Sequence, residues 1–557
     1  MSKDKIINCL FLLFGITYLV AFIYNLSPYW FNPNVTTDDA VQQLYPLHIV
    51  LDPTLFQNDL ITKMMKSYLT PLHWWISVFV TYLTEDPIMT GHWVMLIQIL
   101  LATVPVVFGL WHAAGTPAAC FGLVWILHSR NLIQRLTCGL PRGWGAVVLS
   151  CYFFGVLIKK PRIILLTLVL GALLHPPSTM MVAIAYGLGV LYEAIKQKKI
   201  TVEFKELLIV TPIVILCALN AVTMPSEIGQ MASFETAASM PEFTRPGGRF
   251  PFVPLVPWNK EVFSFGFQAF VTRFYNPSSF FATIVPIFAV LGLLSLWLVQ
   301  AKKKLIEKNT YIFSFLISVL IMYPASRLLA FKLYVPDRHL QLPLAYFFIV
   351  AFSYGIATLF KDNKKKQLYC FISLAVIICL GSGHGLYGIA NFNYPKDLPQ
   401  RRFFPWVEKN TPKDAIIAGN PTILDPLALF AKRIAYITTE TAHPFYDKYY
   451  DAIKPRIINT FTAYYAKTPQ DFLQINNFGV GYFVFYRKDF YPDVLLKATY
   501  FRPYDILVKD LIGASSPEEF IYKMFSKANV DGKEGVVYKD DSVIIIDMLK
   551  AKDFFNE

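Results

Sequence analysis

Two adjacent carboxylates, Asp38 and Asp39, follow the first apolar segment of the sequence. Neighbouring acids repel each other, and partial burial raises the pKa of at least one of them. A general base close to a membrane surface would use such a pair, with the second acid orienting the first or holding a metal. The residues Thr36 to Asp39 also fit a helix N-terminus, where the helix dipole favours acids. The motif alone is more typical of a helix start, so the catalytic interpretation depends on what lies near it.

Basic residues in later segments give these acids a chemical counterpart. Arginine binds phosphate through a planar fork of N–H donors, so arginines facing the acids would suit a lipid-linked phosphate donor. At least half of the arginines on the predicted outer side of the membrane are expected instead to extend to lipid headgroups. The candidate phosphate-binding residues are Arg142, Arg245, Arg249, Arg338 and His339.

Two further residues are candidates for binding a substrate. His175 stands before two prolines at a predicted turn, and Glu242 lies in a long segment rich in Pro, Phe and Gly. A lone histidine is more often a structural hydrogen-bonding residue than a ligand. The spacing of acids such as Asp52, Asp59 and Glu242 does not require a metal. We therefore assign no metal ligand and no cofactor, and leave a divalent metal open.

The elements that must position these residues are mostly membrane helices. The chain has 557 residues, is 55% hydrophobic and only 16% charged, with a mean hydropathy of +0.44. Soluble domains carry about 25% charged residues. The deficit falls on residues 1–390, so we predict a transmembrane domain there and a soluble domain at 391–557. The net charge of +13 lies in short clusters between apolar runs, which is typical of membrane orientation and argues against a nucleic-acid partner.

A spanning helix needs about 20 mostly apolar residues. Several apolar segments are shorter and are expected to line a cavity within the bundle, where other helices cover their ends. We predict 10 to 13 membrane helices, and the pattern leaves the direction of the chain between 71 and 142 open. The candidate spans are 6–26, 88–110, 205–223, 279–300, 310–330, 339–360 and 367–390, and the shorter segments are 71–84, 116–128, 143–158, 164–174 and 179–193.

Basic clusters predict which side each loop occupies. They lie near the N-terminus, at 159–162, at 196–199, at 302–308 and at 361–366. With these clusters in the cytoplasm, the N-terminus is cytoplasmic, and loops 27–70 and 224–278 and the tail after residue 391 are extracytoplasmic. We therefore expect a multi-pass protein of the plasma (inner) membrane with a periplasmic C-terminal domain.

The tail alternates strand-like and helix-like runs, which indicates a small α/β domain. The predicted strands are 415–418, 433–438, 480–486 and 543–547, and the predicted helices are near 455–466, 468–475 and 516–526. The fold class expected for the chain is thus mainly α, a polytopic helical bundle followed by this domain.

This layout resembles the GT-C class of glycosyltransferases, the polyprenyl-phosphate-sugar-dependent membrane enzymes. The likeness lies in Asp-Asp after a single helix, arginine-bearing later loops and an extracytoplasmic tail, with short motifs at 138–142, 174–177 and 404–417. The resemblance implies an inverting transfer of a sugar from a polyprenyl-phosphate donor to a lipid, glycan or protein acceptor. It implies that Asp38 or Asp39 activates the acceptor and that Arg338 binds the donor phosphate. The tail has no Trp-Trp-Asp motif, which argues against an oligosaccharyltransferase.

Two alternatives stay open at this point. A surface-polysaccharide polymerase or ligase also uses lipid-linked donors, although such enzymes usually keep their large soluble portion in a middle loop. A transporter without catalysis would show internal repeats and charges at mid-depth in the membrane. The sequence shows no repeat, and its charges cluster at the predicted outer rim.

Overall fold

The computed structural model describes residues 3–199, 202–222, 225, 227–262, 310–333, 335–382, 392 and 394–557. A helical bundle precedes a C-terminal part built on a five-stranded sheet, which confirms the predicted fold class. The predicted span 279–300 and the basic cluster at 302–308 lie outside the described residues. So does the end of the predicted span 367–390, and the boundary near residue 390 stays a prediction.

Helices make up nearly all of the structure before residue 383. Three of them fold within the first loop, and one short helix lies in the 227–262 segment. The helices are Lys3–Trp30, Asp38–Leu44, His48–Leu51, Leu60–Ser67, Pro71–Thr84, Pro87–Ala114, Thr116–His128, Arg130–Leu136, Trp144–Leu157, Pro161–Leu174, Pro176–Gln197, Val202–Val222, Phe234–Ser239, Thr310–Leu328, Arg338–Leu359 and Lys364–Ser382.

Five of the described helices are long and apolar enough to cross a membrane: Lys5–Trp30, Pro87–Ala114, Pro176–Gln197, Thr310–Leu328 and Arg338–Leu359. Shorter apolar helices lie between them, as the sequence predicts, at Thr116–His128 and Pro161–Leu174. The prediction of a short helix at 179–193 is wrong. That helix has 22 residues, because it begins at Pro176, where a proline is tolerated in the first turn, and continues to Gln197.

The ends of helix Pro71–Thr84 show how part of the chain between residues 71 and 142 runs. At its start, the hydroxyl of Thr70 donates to the carbonyl of Leu174 at 2.9 Å. At its other end, the hydroxyls of Thr84 and Thr90 are 2.8 Å apart. Thr90 lies in the first turn of the next helix, beside the first loop. Both ends of this 14-residue helix therefore lie at the same end of the bundle, and it does not cross it.

The first loop is bound to the C-terminal part by backbone pairing. Strand β1, Val35–Thr36, pairs antiparallel with strand β2, Tyr394–Pro395. A further link runs from the imidazole Nε2 of His48 to the carbonyl oxygen of Leu429, 2.9 Å away. Buried apolar side chains continue from the bundle into the C-terminal part. The two parts therefore share one core.

The C-terminal sheet has the strand order β4-β3-β5-β7-β6. Strands β3 and β4 and strands β3 and β5 are parallel, whereas β7 is antiparallel to both β5 and β6. The four predicted strands are present, and the strand at 536–539 is an addition. The strands are β3 Ile416–Gly419, β4 Ile434–Ala435, β5 Val480–Tyr486, β6 Val536–Lys539 and β7 Val543–Asp547; the helices are Phe404–Asn410, Leu427–Ala431, Asp447–Tyr464, Pro469–Leu473, Pro492–Leu495, Tyr504–Ile512, Ile521–Lys527 and Met548–Asn556.

A pair of glycines fixes the turn that carries Arg142. Gly139 has φ +63°, and a Cβ there would lie 2.5 Å from the carbonyl oxygen of Gly91 in helix Pro87–Ala114. A Cβ at Gly91 would in turn lie 2.8 Å from the carbonyl oxygen of Cys138. The amide of Gln98, on the same helix, donates to the carbonyl of Leu140 at 3.0 Å. The backbone at 138–143 is therefore held directly against the helix.

Gly139→Ala is expected to destabilise the protein. The positive φ costs about 1 to 3 kcal/mol for a residue with a Cβ, and the overlap with Gly91 adds to it. The matched control is Gly187→Ala, because a Cβ at Gly187 meets only Leu207, at 3.9 Å. Thermal unfolding in detergent should show a lower midpoint for the Gly139 variant and no loss for the control. Equal midpoints for the two variants would contradict the close approach.

Candidate functional site

Asp39 and Arg142 form an ion pair at the end of the bundle that carries the first loop. Arg142 Nη1 donates to Asp39 Oδ2, and the two side chains are 33% and 42% exposed. Asp39 lies in the first turn of helix Asp38–Leu44, whereas Arg142 lies in the one-turn helix Pro141–Gly143. Two candidates from distant parts of the sequence thus meet. The pair is open enough for a substrate to reach it.

Asp38 has a different environment from its neighbour. Its side chain is exposed, and its Oδ1 accepts a hydrogen bond from the backbone N–H of Asp39 at 2.9 Å. Thr37, the residue before the helix, is extended and makes no side-chain cap. The helix-start interpretation therefore describes Asp38 well, since it satisfies an N–H of the first turn. Asp39 is the carboxylate that points to a basic partner.

Arg338 lies on the same side of the bundle as Asp39. It opens helix Arg338–Leu359, and the charge of Asp39 acts on its guanidinium. Its Nε is 3.8 Å from Oδ1 of Asp337, the residue before the helix. Burial, together with the charge of Glu261, raises the pKa of Asp337 to about 7. Below neutral pH, Asp337 is therefore mostly protonated and competes only weakly with another anion for Arg338.

The C-terminal part contributes an acid that the sequence did not suggest. Glu440 Oε2 is 2.9 Å from Arg249 Nη2, and Arg249 Nε donates to the carbonyl of Thr439 at 3.1 Å. Burial raises the pKa of Glu440, Arg249 opposes the rise, and the charges of Asp39 and Asp38 add to it. Glu440 therefore faces the acids of the first loop, with Arg249 beside it.

His443 completes this side of the site. Its ring lies between aromatic rings, 5.1 Å from Phe250 and 6.0 Å from Tyr68 between centroids. Burial, followed by the positive charge of Arg249, lowers the pKa of His443 to about 3. The imidazole is therefore neutral near pH 7. A mostly polar run at 438–443, shortly after strand β4, is the signal that could have found Glu440 and His443.

The other predicted residues have structural partners. His339 Nε2 is 2.8 Å from the carbonyl oxygen of Leu333, and Arg245 Nε donates to the carbonyl of Pro251 at 2.5 Å. Glu242 is buried and accepts from the hydroxyl of Tyr450 at 2.9 Å. These contacts place none of the three beside Asp39, and their predicted roles stay predictions.

His175 lies closer to the Arg142 turn. Its Nδ1 accepts the N–H of Ser178 at 3.3 Å, so it caps helix Pro176–Gln197. A Cβ added at Gly145, three residues after Arg142, would meet the His175 ring at 3.1 Å. The ring therefore supports the start of helix Trp144–Leu157. Substrate binding by His175 stays a prediction.

Within the described residues, no group of three or more His, Cys, Asp and Glu side chains comes together to hold a metal ion. The charges of Asp39 and Asp38 act on Glu440, but the direct partner of Asp39 is Arg142 and that of Glu440 is Arg249. The arrangement shown is one of acids paired with arginines.

A buried acid lies directly behind Glu440. Asp425 Oδ1 accepts the backbone N–H of Glu440 at 2.9 Å. Burial raises the pKa of Asp425 to about 7, although the hydrogen bond from the Glu440 N–H opposes the rise. A cavity of about 20 Å3 lies between Asp425 and residues of the first loop, including Gln42 and Asp59. This volume fits one water molecule.

Comparisons with known proteins gave matches among solved structures alone. No family model matches the sequence, and no curated protein sequence matches it. The structure is similar to an oligosaccharyltransferase from Archaeoglobus fulgidus, with a TM-score of 0.48 and 13% identity over 86% of this chain and 69% of that one. It is also similar to ArnT from Cupriavidus metallidurans in the apo state, with a TM-score of 0.43 and 13% identity over 97% and 98% of the two chains. ArnT bound to undecaprenyl phosphate gives the same TM-score and identity over 96% and 97%.

Both kinds of neighbour are GT-C glycosyltransferases, the class that the sequence resembles. At TM-scores below 0.5 and 13% identity, this likeness decides nothing about the chain. What this chain does therefore has to follow from its own residues.

Asp425→Asn is expected to remove part of the pH dependence of stability. The folded-state pKa of about 7 exceeds the ordinary 3.8, so the folded protein holds a proton that the unfolded chain releases. This contribution is complete below about pH 4 and is lost as the pH rises through 7. The thermal midpoint of the parent should fall from pH 5 to pH 8, and that of the variant should fall less. Asp553→Asn, at an exposed site, is the control, and equal falls in all three proteins would contradict the burial of the acid.

Proposed function

We propose that this chain is a membrane glycosyltransferase that moves a sugar from a polyprenyl-phosphate donor to an extracytoplasmic lipid, glycan or protein acceptor. The observation that carries the proposal is the ion pair between Asp39 and Arg142 at one end of an apolar helical bundle, with Arg338 in the field of Asp39. A carboxylate and two guanidinium groups are the chemistry that a phosphate-linked sugar needs.

The donor phosphate would be held by Arg142 and Arg338. A polyprenyl phosphate keeps its chain among the membrane helices and its phosphate at their ends. Arg338 opens a 22-residue apolar helix, and Arg142 lies two residues before helix Trp144–Leu157. Charge-assisted bonds from two guanidinium groups bind a phosphate more strongly than neutral donors do. They also stabilise the negative charge that builds up on the leaving phosphate.

Asp39 would act as the general base. It would take the proton from the acceptor nucleophile as that atom attacks the anomeric carbon. The bond from the anomeric carbon to the phosphate oxygen breaks, and polyprenyl phosphate leaves. One displacement of this kind inverts the anomeric configuration. Arg142 fixes Oδ2 of Asp39, so the carboxylate is oriented before the acceptor arrives.

The basic clusters predict the side of the membrane on which this happens. With residues 159–162 and 196–199 in the cytoplasm, the end of the bundle that carries the first loop faces outward. The C-terminal part would then be periplasmic and would close the site with Glu440 and His443. A divalent metal would have to bind to the acids Asp38, Asp39 and Glu440. Comparing activity with and without EDTA shows whether transfer requires a metal.

Asp39→Asn is expected to lower kcat for sugar transfer by about 100-fold or more, because a positioned base contributes about 10² to 10⁴. Transfer from a panel of radiolabelled undecaprenyl-phosphate sugars is measured with the purified protein in nanodiscs. Asp38→Asn is the matched control, since Asp38 is the exposed neighbour that bonds the helix backbone. Full activity of the Asp39 variant would remove the proposed base.

Arg338→Gln is expected to raise the KM for the donor at least tenfold, because one charge-assisted contact to the phosphate is lost. Arg245→Gln is the control, since its Nε bonds the carbonyl of Pro251. An unchanged KM for the Arg338 variant, or an equal rise for both variants, would show that the phosphate lies elsewhere.

A further inference from the structure

A cavity of about 230 Å3 opens in the C-terminal part, away from the ion pair of Asp39 and Arg142. Its floor is made by side chains of helix Asp447–Tyr464 and the residue that follows it. Its rim comes from the segments at 420–422 and 489–500. The cavity therefore joins residues that are far apart in sequence into one concave surface.

Aromatic rings make the floor apolar. The rings of Phe461 and Tyr465 are parallel within 8°, with centroids 6.3 Å apart, and both side chains are buried. The ring of Tyr500 stands edge-on to Phe461, with centroids 4.7 Å apart. The ring edges that line the cavity offer apolar contact to the C–H groups of a sugar ring. Tyr449 and Tyr450, in the first turn of the same helix, are core residues.

Polar groups surround this floor. Asp489 is held in place by the hydroxyl of Tyr464 at 2.7 Å and the amide of Asn420 at 2.5 Å. Asp493 is exposed on helix Pro492–Leu495, and Lys497 is exposed two residues after the end of that helix. Carboxylates accept hydrogen bonds from hydroxyl groups, and a fixed carboxylate does so without losing side-chain entropy.

The rim offers a phosphate little to bind. Among the described residues that line the cavity, Lys497 is the one basic side chain, and it lies with the carboxyl groups of Asp489 and Asp493. Burial raises the pKa of Asp489, whereas Asp493 is exposed. The volume lies below the 300 to 1,000 Å3, roughly, of sites for drug-sized ligands. A single neutral sugar ring matches both the polar rim and the size.

The cavity is connected to the proposed active site. The hydroxyls of Thr422, on its rim, and Thr439 are 2.9 Å apart. Thr439 accepts a hydrogen bond from Arg249, and the next residue, Glu440, pairs with the same arginine. A ligand in the cavity is therefore separated from the Arg249–Glu440 pair by one layer of residues.

We propose that this cavity is a carbohydrate-binding subsite, which holds one sugar ring of a glycan acceptor while the rest of that acceptor extends toward Asp39. The assignment of the sugar to the acceptor rests on the proposed function. The binding of a sugar ring does not, because it follows from the floor, the rim and the size of the cavity.

Val494→Trp tests the subsite by filling it from its exposed edge. Binding of methyl α-glucopyranoside, methyl α-mannopyranoside and methyl α-galactopyranoside to the full-length protein in nanodiscs is measured by saturation-transfer NMR. At least one glycoside should bind the parent at millimolar concentration, and Val494→Trp should weaken it at least tenfold. Asp493→Asn, at the exposed rim, should weaken it as well. Leu496→Trp is the matched control, because Leu496 is 76% exposed and does not line the cavity.

The outcomes separate this inference from the proposed function. Binding that survives Asp39→Asn but is lost in Val494→Trp supports the subsite, even if no transfer activity is found. The subsite is overturned if none of the three glycosides binds the parent. It is overturned equally if Val494→Trp binds them as the parent does, or if inorganic phosphate displaces them.

Discussion

The ion pair between Asp39 and Arg142 joins the first loop to the helical bundle, and the proposed site depends on it. An exposed or half-exposed pair contributes only about 0 to 1 kcal/mol to stability, so its value is in orientation. Both partners are fixed independently. The contact between Gly91 and Gly139 holds the turn of Arg142, and the pairing of β1 with β2 holds the strand that precedes Asp39. Backbone geometry thus places the Asp39 carboxylate and the Arg142 guanidinium independently of the charge interaction between them.

The C-terminal part belongs to the same electrostatic system. Glu440 faces the acids of the first loop, and Arg249 lies against Glu440 and the ring of Phe250. Opposite charges close to such acids favour their ionised form. Arg142 pairs with Asp39 and Arg249 pairs with Glu440, and the charge of Asp39 also acts on Arg338. A negatively charged donor would bind to this surface through the same guanidinium groups that now compensate the acids.

The sequence predicts the local elements of this protein better than its long-range contacts. Apolar runs and prolines predict most helices and the four strands β3, β4, β5 and β7, because these signals are local. The sequence indicates both Arg142 and Asp39, but their pairing follows from a contact between two glycines that no periodicity shows. It does not indicate Glu440 and His443, because their segment after β4 resembles an ordinary loop. It also indicates Glu242 and His339, whereas in the structure each has a hydrogen-bond partner of its own.

The most direct test of this account is a cryo-EM structure of the protein in nanodiscs with undecaprenyl phosphate added. The account predicts a phosphate within hydrogen-bond distance of Arg142 and Arg338, beside Asp39 at the end of the bundle that carries the first loop. A phosphate bound at the opposite end of the bundle, among the basic residues at 159–162 and 196–199, would contradict it. So would a structure in which Asp39 and Arg142 are separated by other side chains.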